Sequence, residues 1–192
     1  MKIILASNSP RRKKIMTELS QKEGFNFEII PSNYDEKLES DIFSYDAIED
    51  LATQKALDVV HRVGHDEIVI GADTVVVLHN KILGKPHSKE EAFKMLSELS
   101  ENTHSVVTSI CGINTKTNRA ALLSTTSYVK FCKLTDEQIN FYIDKYNPLD
   151  KAGSYGIQEM PDGYIAKYEG SLENIIGLDS DAVFSVLKQL GL

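Results

Sequence analysis

The chain has 192 residues, 42% of them hydrophobic and 26% charged, with a formal net charge of -7. This length suffices for one substantial core or for two lobes around a cleft. The acidic balance disfavours a general nucleic-acid binder, whose affinity comes mainly from cations on phosphates. The N-terminal apolar run is too short for a signal peptide, and no stretch reaches transmembrane length. Cys111 and Cys132 have no metal-binding spacing. We therefore expect a cytoplasmic globular protein that contacts neither a membrane nor nucleic acid directly.

The first half of the chain alternates strand and helix patterns. It predicts, in order, a strand at 2–7, a helix at 10–20, a strand at 25–31 and a helix at 45–63. A nearly continuous apolar run at 67–78 is typical of a strand covered on both faces. The segment after it, "HNKILGKP", indicates a hairpin-like return.

The second half adds two consecutive strands, which do not fit pure strand–helix alternation. The predicted elements are a helix from a Ser88 cap to Leu99, strands at 104–113 and 120–131, a helix from a Thr135 cap to Asn147, a loop at 150–158, a strand at 163–168 and a helix at 179–190. The whole pattern predicts a mixed α/β fold.

Two arginines stand at an unexpected place, the start of the first helix. Ser9 followed by a proline predicts a helix start there, yet Arg11 and Arg12 follow it together with Lys13 and Lys14. Exposed cations at a helix N-terminus are each unfavourable by about 0.3–1 kcal/mol, and a bound anion would reverse that sign. The pattern favours a solvated face for the two lysines and leaves an anion site or a solvated face open for the arginines.

Asp73 interrupts the apolar run at 67–78. With period two it shares a face with Gly71, Val75 and Val77, and the small residue Gly71 would leave room beside it. A carboxylate on a covered strand is costly unless it meets a cation, a metal or good donors. Asp73 is thus a candidate functional residue; the alternatives are a structural ion pair or a strand that breaks at Gly71.

Two lysines complete a possible phosphate site. Lys55 falls on the apolar stripe of its helix, where a snorkelling side chain is the alternative. Lys85 lies in a turn between a glycine and a proline, where an ordinary exposed lysine is the alternative. With the arginines they could neutralise a polyphosphate, while Asp73 with Asp35 or Glu36 could hold a hard divalent ion through oxygen.

Five motifs in this order resemble the Maf family of nucleotide pyrophosphatases: "ASNSPRR", "LATQKA", "GADTVV", "GKP" and "DKAGSYGIQ". The resemblance covers essentially all of residues 1–192, as one domain. It implies a mixed, strongly bent sheet flanked by helices, with two lobes around a deep cleft, similar to inosine-triphosphate pyrophosphatases. It also implies a homodimer that needs Mg or Mn and cleaves nucleoside triphosphates to the monophosphate and pyrophosphate, with a house-cleaning role and a link to arrest of septum formation.

The resemblance assigns roles to individual residues. It places phosphate binding on Ser7, Arg11 and Arg12, and lines the phosphate site with Lys55 and Lys85. It makes Asp73 a metal ligand or the base for the attacking water, with Glu36 as a second metal ligand. Catalytic roles thus fall to Asp73, Lys55, Lys85 and Arg12.

Three positions indicate the subfamily. Arg11, Thr74 and Gln158 match the branch that resembles dTTP/UTP pyrophosphatases, and Gln158 would read the base. A side-chain amide can pair with the adjacent carbonyl and N–H of a uracil or thymine edge. Two positions depart from the family: Glu159 replaces a usual glycine and Asp179 a usual proline. Two other functions stay open, a nucleotide-binding regulator of cell division with incidental hydrolysis and a purine-type pyrophosphatase.

Overall fold

The computed structural model describes residues 1–35 and 40–192, and these residues form a seven-stranded mixed sheet flanked by helices. The strands are β1 (Lys2–Leu5), β2 (Phe27–Ile29), β3 (Glu67–Leu78), β4 (Lys81–Leu83), β5 (Thr103–Asn114), β6 (Arg119–Phe131) and β7 (Ile165–Glu169). The helices are α1 (Pro10–Glu23), α2 (Tyr45–Val60), α3 (Lys89–Leu99), α4 (Asp136–Tyr146), α5 (Leu172–Ile176) and α6 (Ser180–Gln189). The predicted mixed α/β class is confirmed.

The strand order is β2-β1-β3-β5-β6-β7, with β4 paired to the far end of β3. β1 runs parallel to both β2 and β3, and every other pairing is antiparallel. The long strands β3, β5 and β6 result from consecutive antiparallel pairing, as the adjacent strand predictions in the second half indicated. β3 is therefore the central strand, where the parallel and antiparallel parts of the sheet meet.

The hydrophobic core divides along β3. On one face, the first half of β3 packs with α1 and α6, and the second half packs with α3 and α4. On the other face both halves pack against α2, in separate clusters. The division falls at Asp73 and Thr74, so the polar residues of β3 lie between apolar clusters. The core is thus split into separate clusters on both faces and along the length of one strand.

Capping side chains mark the start of most helices. Ser9, Ser44, Ser88, Thr135 and Asp179 each cap a helix by accepting a hydrogen bond from a backbone N–H in its first turn. The predicted helix at 45–63 ends earlier, at Val60, and a turn follows it.

Two further features differ from the simple pattern. The predicted loop at 150–158 contains three short 3₁₀ turns, Pro148–Asp150, Ala152–Ser154 and Ile157–Glu159. Helix α5 was not predicted, because five residues are too few to show helical periodicity. Both cysteines are free, and no helix within 1–35 or 40–192 has the length and apolarity needed to cross a membrane.

Candidate active site

The centre of the candidate site is a buried ion pair. Asp73 lies in the middle of β3 and is 5% exposed, and Lys55 of α2 is 6% exposed. Lys55 Nζ donates a hydrogen bond to Asp73 Oδ1. β3 continues without a break through this position, so the strand-break alternative is wrong. Lys55 does not snorkel to solvent, because its ammonium group turns inward onto the carboxylate.

Gly71 explains how α2 comes close enough for this pair to form. A Cβ on Gly71 would lie 2.3 Å from the carbonyl oxygen of Ala52 and 2.7 Å from the backbone nitrogen of Ala56. From the sequence we expect Gly71 to leave room beside Asp73. Instead, the backbone of α2 fills that space, and Lys55 is carried onto Asp73 by the same turn of helix.

Arg12 lies on the other face of β3 and joins three elements. Its Nη1 donates to the carbonyl oxygen of Ala72 at 2.8 Å, and its Nη2 donates to Thr74 Oγ1 at 3.0 Å. Its Nε donates to the carbonyl oxygen of Gly177, between α5 and α6, at 2.8 Å. Arg12 therefore fixes the start of α1 against the middle of β3 and against the entrance to α6.

The hydroxyl of Thr74 belongs to a polar network that orients Arg12. Thr74 Oγ1 and Thr108 Oγ1 are 2.9 Å apart, and Thr74 also donates to the carbonyl oxygen of Gly177 at 3.2 Å. Thr108 Oγ1 in turn donates to the carbonyl oxygen of Asn174 in α5 at 3.1 Å. Gly177 has a φ of 129°, which favours glycine. Sequence reasoning missed Thr108, Asn174 and Gly177, since no local pattern marks them.

Arg11 reaches a chain of alternating charges that leads to the 3₁₀ turns. Its Nη1 lies 3.1 Å from Asp150 Oδ2, and Asp150 Oδ1 lies 2.8 Å from Lys151 Nζ. Lys151 is 6% exposed, and its Nζ also lies 3.2 Å from Glu159 Oε2. Burial opposes the ionised form of Asp150, but Lys151 and Arg11 outweigh it and hold the pKa of that carboxyl below its usual range. Arg11 is thus linked electrostatically to the segment that carries Gln158.

Buried aromatic side chains support that segment from below. His104 Nε2 and the Tyr155 hydroxyl are 2.6 Å apart, and the Tyr142 hydroxyl accepts from the backbone N–H of Gly156 at 3.0 Å. Burial lowers the pKa of His104 to about 4, so this imidazole is neutral at pH 7. Gln158 itself is exposed at the protein surface. The segment that carries Gln158 is therefore held by buried hydrogen bonds at Tyr155 and Gly156, while the Gln158 amide is accessible to solvent.

The other predicted residues have varied positions. Ser7 is buried, and its Oγ accepts from the backbone N–H of Ser9 at 3.2 Å. Lys85 is exposed in the turn after β4. The carbonyl oxygen of the residue before it, Gly84, accepts a hydrogen bond from the backbone N–H of Gly153 at 3.0 Å. That bond joins the Lys85 turn to the Gln158 segment. Lys13 and Lys14 are exposed, which agrees with a solvated face. The predicted metal ligand Glu36 lies outside the described residues, and Asp35 is exposed.

The described side chains could bind a magnesium ion only if substrate phosphates and waters supply most of its ligands. Within 1–35 and 40–192, no three His, Cys, Asp or Glu side chains cluster closely enough to form a metal cage. Mg²⁺ is usually held by one or two carboxylates, with waters and substrate phosphates completing its coordination. The buried Asp73 carboxylate meets that requirement with a single protein oxygen. The residues therefore fit a metal that arrives with a phosphate substrate.

The comparison that decides the family covers nearly all of the chain. A family model described as "Maf-like protein" matches residues 2–190. The chain belongs to the Maf-like family. Its relatives include proteins named dTTP/UTP pyrophosphatase from Clostridium perfringens (strain SM101 / Type A), 41% identical over 98% of this chain and 96% of the relative. Others with that name are from Clostridium novyi (strain NT), 39% identical over 100% and 98%, and Alkaliphilus oremlandii (strain OhILAs), 42% identical over 92% and 89%.

A solved structure confirms the fold of this Maf-like chain. The crystal structure of a nucleoside-triphosphatase / dITP/XTP pyrophosphatase from Mycobacterium abscessus matches with a TM-score of 0.52. The match covers 98% of this chain and 94% of that chain, at 14% sequence identity. At that identity the likeness supports the architecture alone. It agrees with the predicted similarity to inosine-triphosphate pyrophosphatases in fold.

Proposed function

We propose that this Maf-like protein is a nucleoside triphosphate pyrophosphatase that hydrolyses dTTP and UTP to the monophosphate and pyrophosphate. The observation that carries the proposal is the buried Lys55–Asp73 pair in the middle of β3. A buried carboxylate beside a lysine, with two arginines at a neighbouring helix start, is a set suited to water attack on a phosphate. The names of the relatives supply the substrate class.

Asp73 would orient the attacking water, and Lys55 would hold the Asp73 carboxylate in position. Arg11 and Lys85 would contact the phosphates and stabilise the charge that develops in the transition state. Arg12 shares this work in the proposal, and its bonds to Ala72, Thr74 and Gly177 keep its guanidinium oriented before substrate arrives. Such fixed donors cost little reorganisation when the reaction occurs.

A divalent metal, Mg or Mn, would be held by Asp73 and by Glu36, the second ligand that the family resemblance implies. When bound, it would lower the pKa of a bound water and neutralise phosphate charge. Ser7 would line the phosphate loop beside Arg11. The Gln158 amide would read the uracil or thymine edge. Thr74 accepts a hydrogen bond from Arg12 Nη2 and would influence specificity by orienting Arg12.

The decisive experiment is a nucleotide panel with Mg or Mn, scored for pyrophosphate release. We expect turnover of dTTP and UTP to exceed that of purine triphosphates and to stop when the metal is chelated. Asp73→Asn should lower kcat by about 10²-fold or more, in the range for loss of a positioned base. The matched control is Asp144→Asn, which removes an exposed carboxylate paired with Lys89.

Three results would contradict the proposal. Turnover restricted to purine triphosphates would favour the purine-type enzyme. Tight nucleotide binding without turnover would favour the division regulator. Full activity in Asp73→Asn would remove Asp73 from its assigned role.

The remaining properties are also proposals. We propose that residues 1–192 form one Maf-like domain, which the match over 2–190 supports. We propose a cytoplasmic homodimer that binds no nucleic acid directly, and light scattering at several concentrations would measure its mass. A house-cleaning role predicts that cells lacking the protein accumulate modified pyrimidine nucleotides. A link to septum formation predicts that overproduction delays division.

A further inference from the structure

We propose that Glu159 is a positioning residue that fixes which way the Gln158 amide faces the pyrimidine base, so that uracil and thymine are accepted and cytosine is rejected. This inference rests on the proposed function, because it concerns how the same enzyme selects its base. It assigns a purpose to Glu159, one of the two positions at which the sequence departs from the pattern of the family that it resembles.

Three side chains converge on Gly156. A Cβ on Gly156 would lie 3.0 Å from Gln158 Nε2, 3.2 Å from Lys151 Cε and 3.3 Å from Glu159 Oε2. Gly156 has a φ of -120°, which any residue can adopt, so the lack of a side chain matters here for space. The nitrogen of the Gln158 amide is therefore turned toward the same point as the Glu159 carboxylate.

Glu159 Oε2 has a cation beside it but, among the residues that the structure describes, no hydrogen-bond donor. It is shielded from solvent and accepts no hydrogen bond from the residues that the structure describes. Lys151 Nζ, 3.2 Å away, makes an ion pair with it rather than a hydrogen bond. Buried polar atoms in proteins almost always find a partner. The Nε2 group of Gln158 is a neighbouring donor, because a Cβ on Gly156 would lie 3.0 Å from Nε2 and 3.3 Å from Glu159 Oε2.

The chain of charges holds Glu159 in place. Lys151 is buried and also contacts Asp150, which holds Arg11. The Glu159 carboxylate is thus anchored from behind while Gln158 remains at the surface. In this proposal the anchored carboxylate sets the orientation of the exposed amide beside it.

Orientation matters because a free glutamine amide can present two opposite patterns. With Nε2 toward the base carbonyl and Oε1 toward the base N–H, it complements uracil and thymine. Rotated by half a turn, it complements the amino group and ring nitrogen of cytosine. If Glu159 accepts one Nε2 hydrogen, the nitrogen side of the amide is fixed and only the first pattern remains. A protein with glycine at this position would have to fix the amide by other means.

The test measures kcat and KM for UTP and CTP in wild type, Glu159→Ala and Glu159→Gln. We expect Glu159→Ala to raise the KM for UTP, to leave its kcat within about twofold, and to reduce the UTP-to-CTP ratio of kcat/KM by about tenfold. Glu159→Gln keeps a carbonyl acceptor without the charge and should retain most of the selectivity. Unchanged selectivity in Glu159→Ala would overturn the proposal, and so would an equal loss in both variants, which would indicate an effect of charge alone.

Two controls distinguish a failure of the role of Glu159 from a failure of the proposed pyrophosphatase function. Inorganic tripolyphosphate has no base, so its inhibition constant against UTP hydrolysis should be the same in all three proteins. Glu169→Ala removes an exposed carboxylate on β7 that pairs with Lys167, and it should behave as wild type. A wild-type protein that releases no pyrophosphate from UTP contradicts the proposed function. Wild-type activity with no selectivity change in Glu159→Ala contradicts only the role of Glu159.

Discussion

Lys55→Met would remove the ammonium group of the buried pair and keep a side chain of similar length. Asp73, only 5% exposed, would then be buried without its cation. Breaking a buried pair by removing one partner typically destabilises a protein by about 3–5 kcal/mol. For a chain of this size each kcal/mol lowers the melting temperature by about 2–4 °C, so we expect a fall of roughly 6–20 °C.

The assay is urea unfolding at pH 7 of wild type, Lys55→Met, Asp73→Asn and the double variant. We expect the double variant to be more stable than Lys55→Met by about 2 kcal/mol, because it leaves no uncompensated buried charge. Lys14→Met, on the exposed face of α1, is the matched control and should stay within about 0.5 kcal/mol of wild type. If Lys55→Met also stays within that margin, the pair does not hold Asp73 and the account of the site fails.

Three further perturbations give distinct results. His104 has a pKa of about 4 in the folded protein against an ordinary value of 6.5, so its contribution to stability is complete above pH 6.5 and is lost as the pH falls toward 4. Urea unfolding should show wild type losing about 3 kcal/mol relative to His104→Gln between pH 7 and pH 4. Gly71→Ala should destabilise the protein by about 3 kcal/mol and lower kcat, because the new Cβ collides with the backbone of α2 that carries Lys55. Thr74→Val should lower the free energy of unfolding by about 1–2 kcal/mol and raise the KM for UTP, because Arg12 Nη2 loses its acceptor.

Matched substitutions isolate each effect. Gly64→Ala adds a methyl group whose nearest neighbour is 3.7 Å away, so it should leave stability and kcat unchanged. Thr117→Val lies in an exposed turn and should leave KM unchanged. Equal pH profiles for wild type and His104→Gln, or a fully active Gly71→Ala, would contradict the corresponding reasoning.

The sequence predicted those parts of the site that a local pattern marks. β3 was predicted at its observed bounds because an unbroken apolar run identifies a doubly covered strand. Asp73 and Lys55 were noticeable because each is a charged residue on an apolar surface. Their pairing agrees with the structural-pair alternative and with the functional one, since a charge held in a core needs a counter-charge in either case.

The parts that could not be predicted depend on contacts between distant residues. Arg12 meets Gly177 across 165 positions of sequence, and nothing local in either segment indicates the other. Lys151 was inside a quoted motif, yet a lysine in a loop gives no sign that it will be buried. Gly71 was misjudged for a related reason: a glycine shows that something approaches closely, but only the packing of α2 shows what.

The cluster formed by α1, α6 and the first half of β3 draws on both ends of the described chain. Ile3 and Ile15 pack there with Val183 and Leu187. During synthesis, this face of the sheet therefore stays uncovered until α6 has left the ribosome. Contacts of such long sequence separation slow folding and leave apolar strands exposed in the meantime. We therefore expect chains that stop before residue 180 to leave this apolar face uncovered, and to aggregate more readily in a solubility assay than the 192-residue chain.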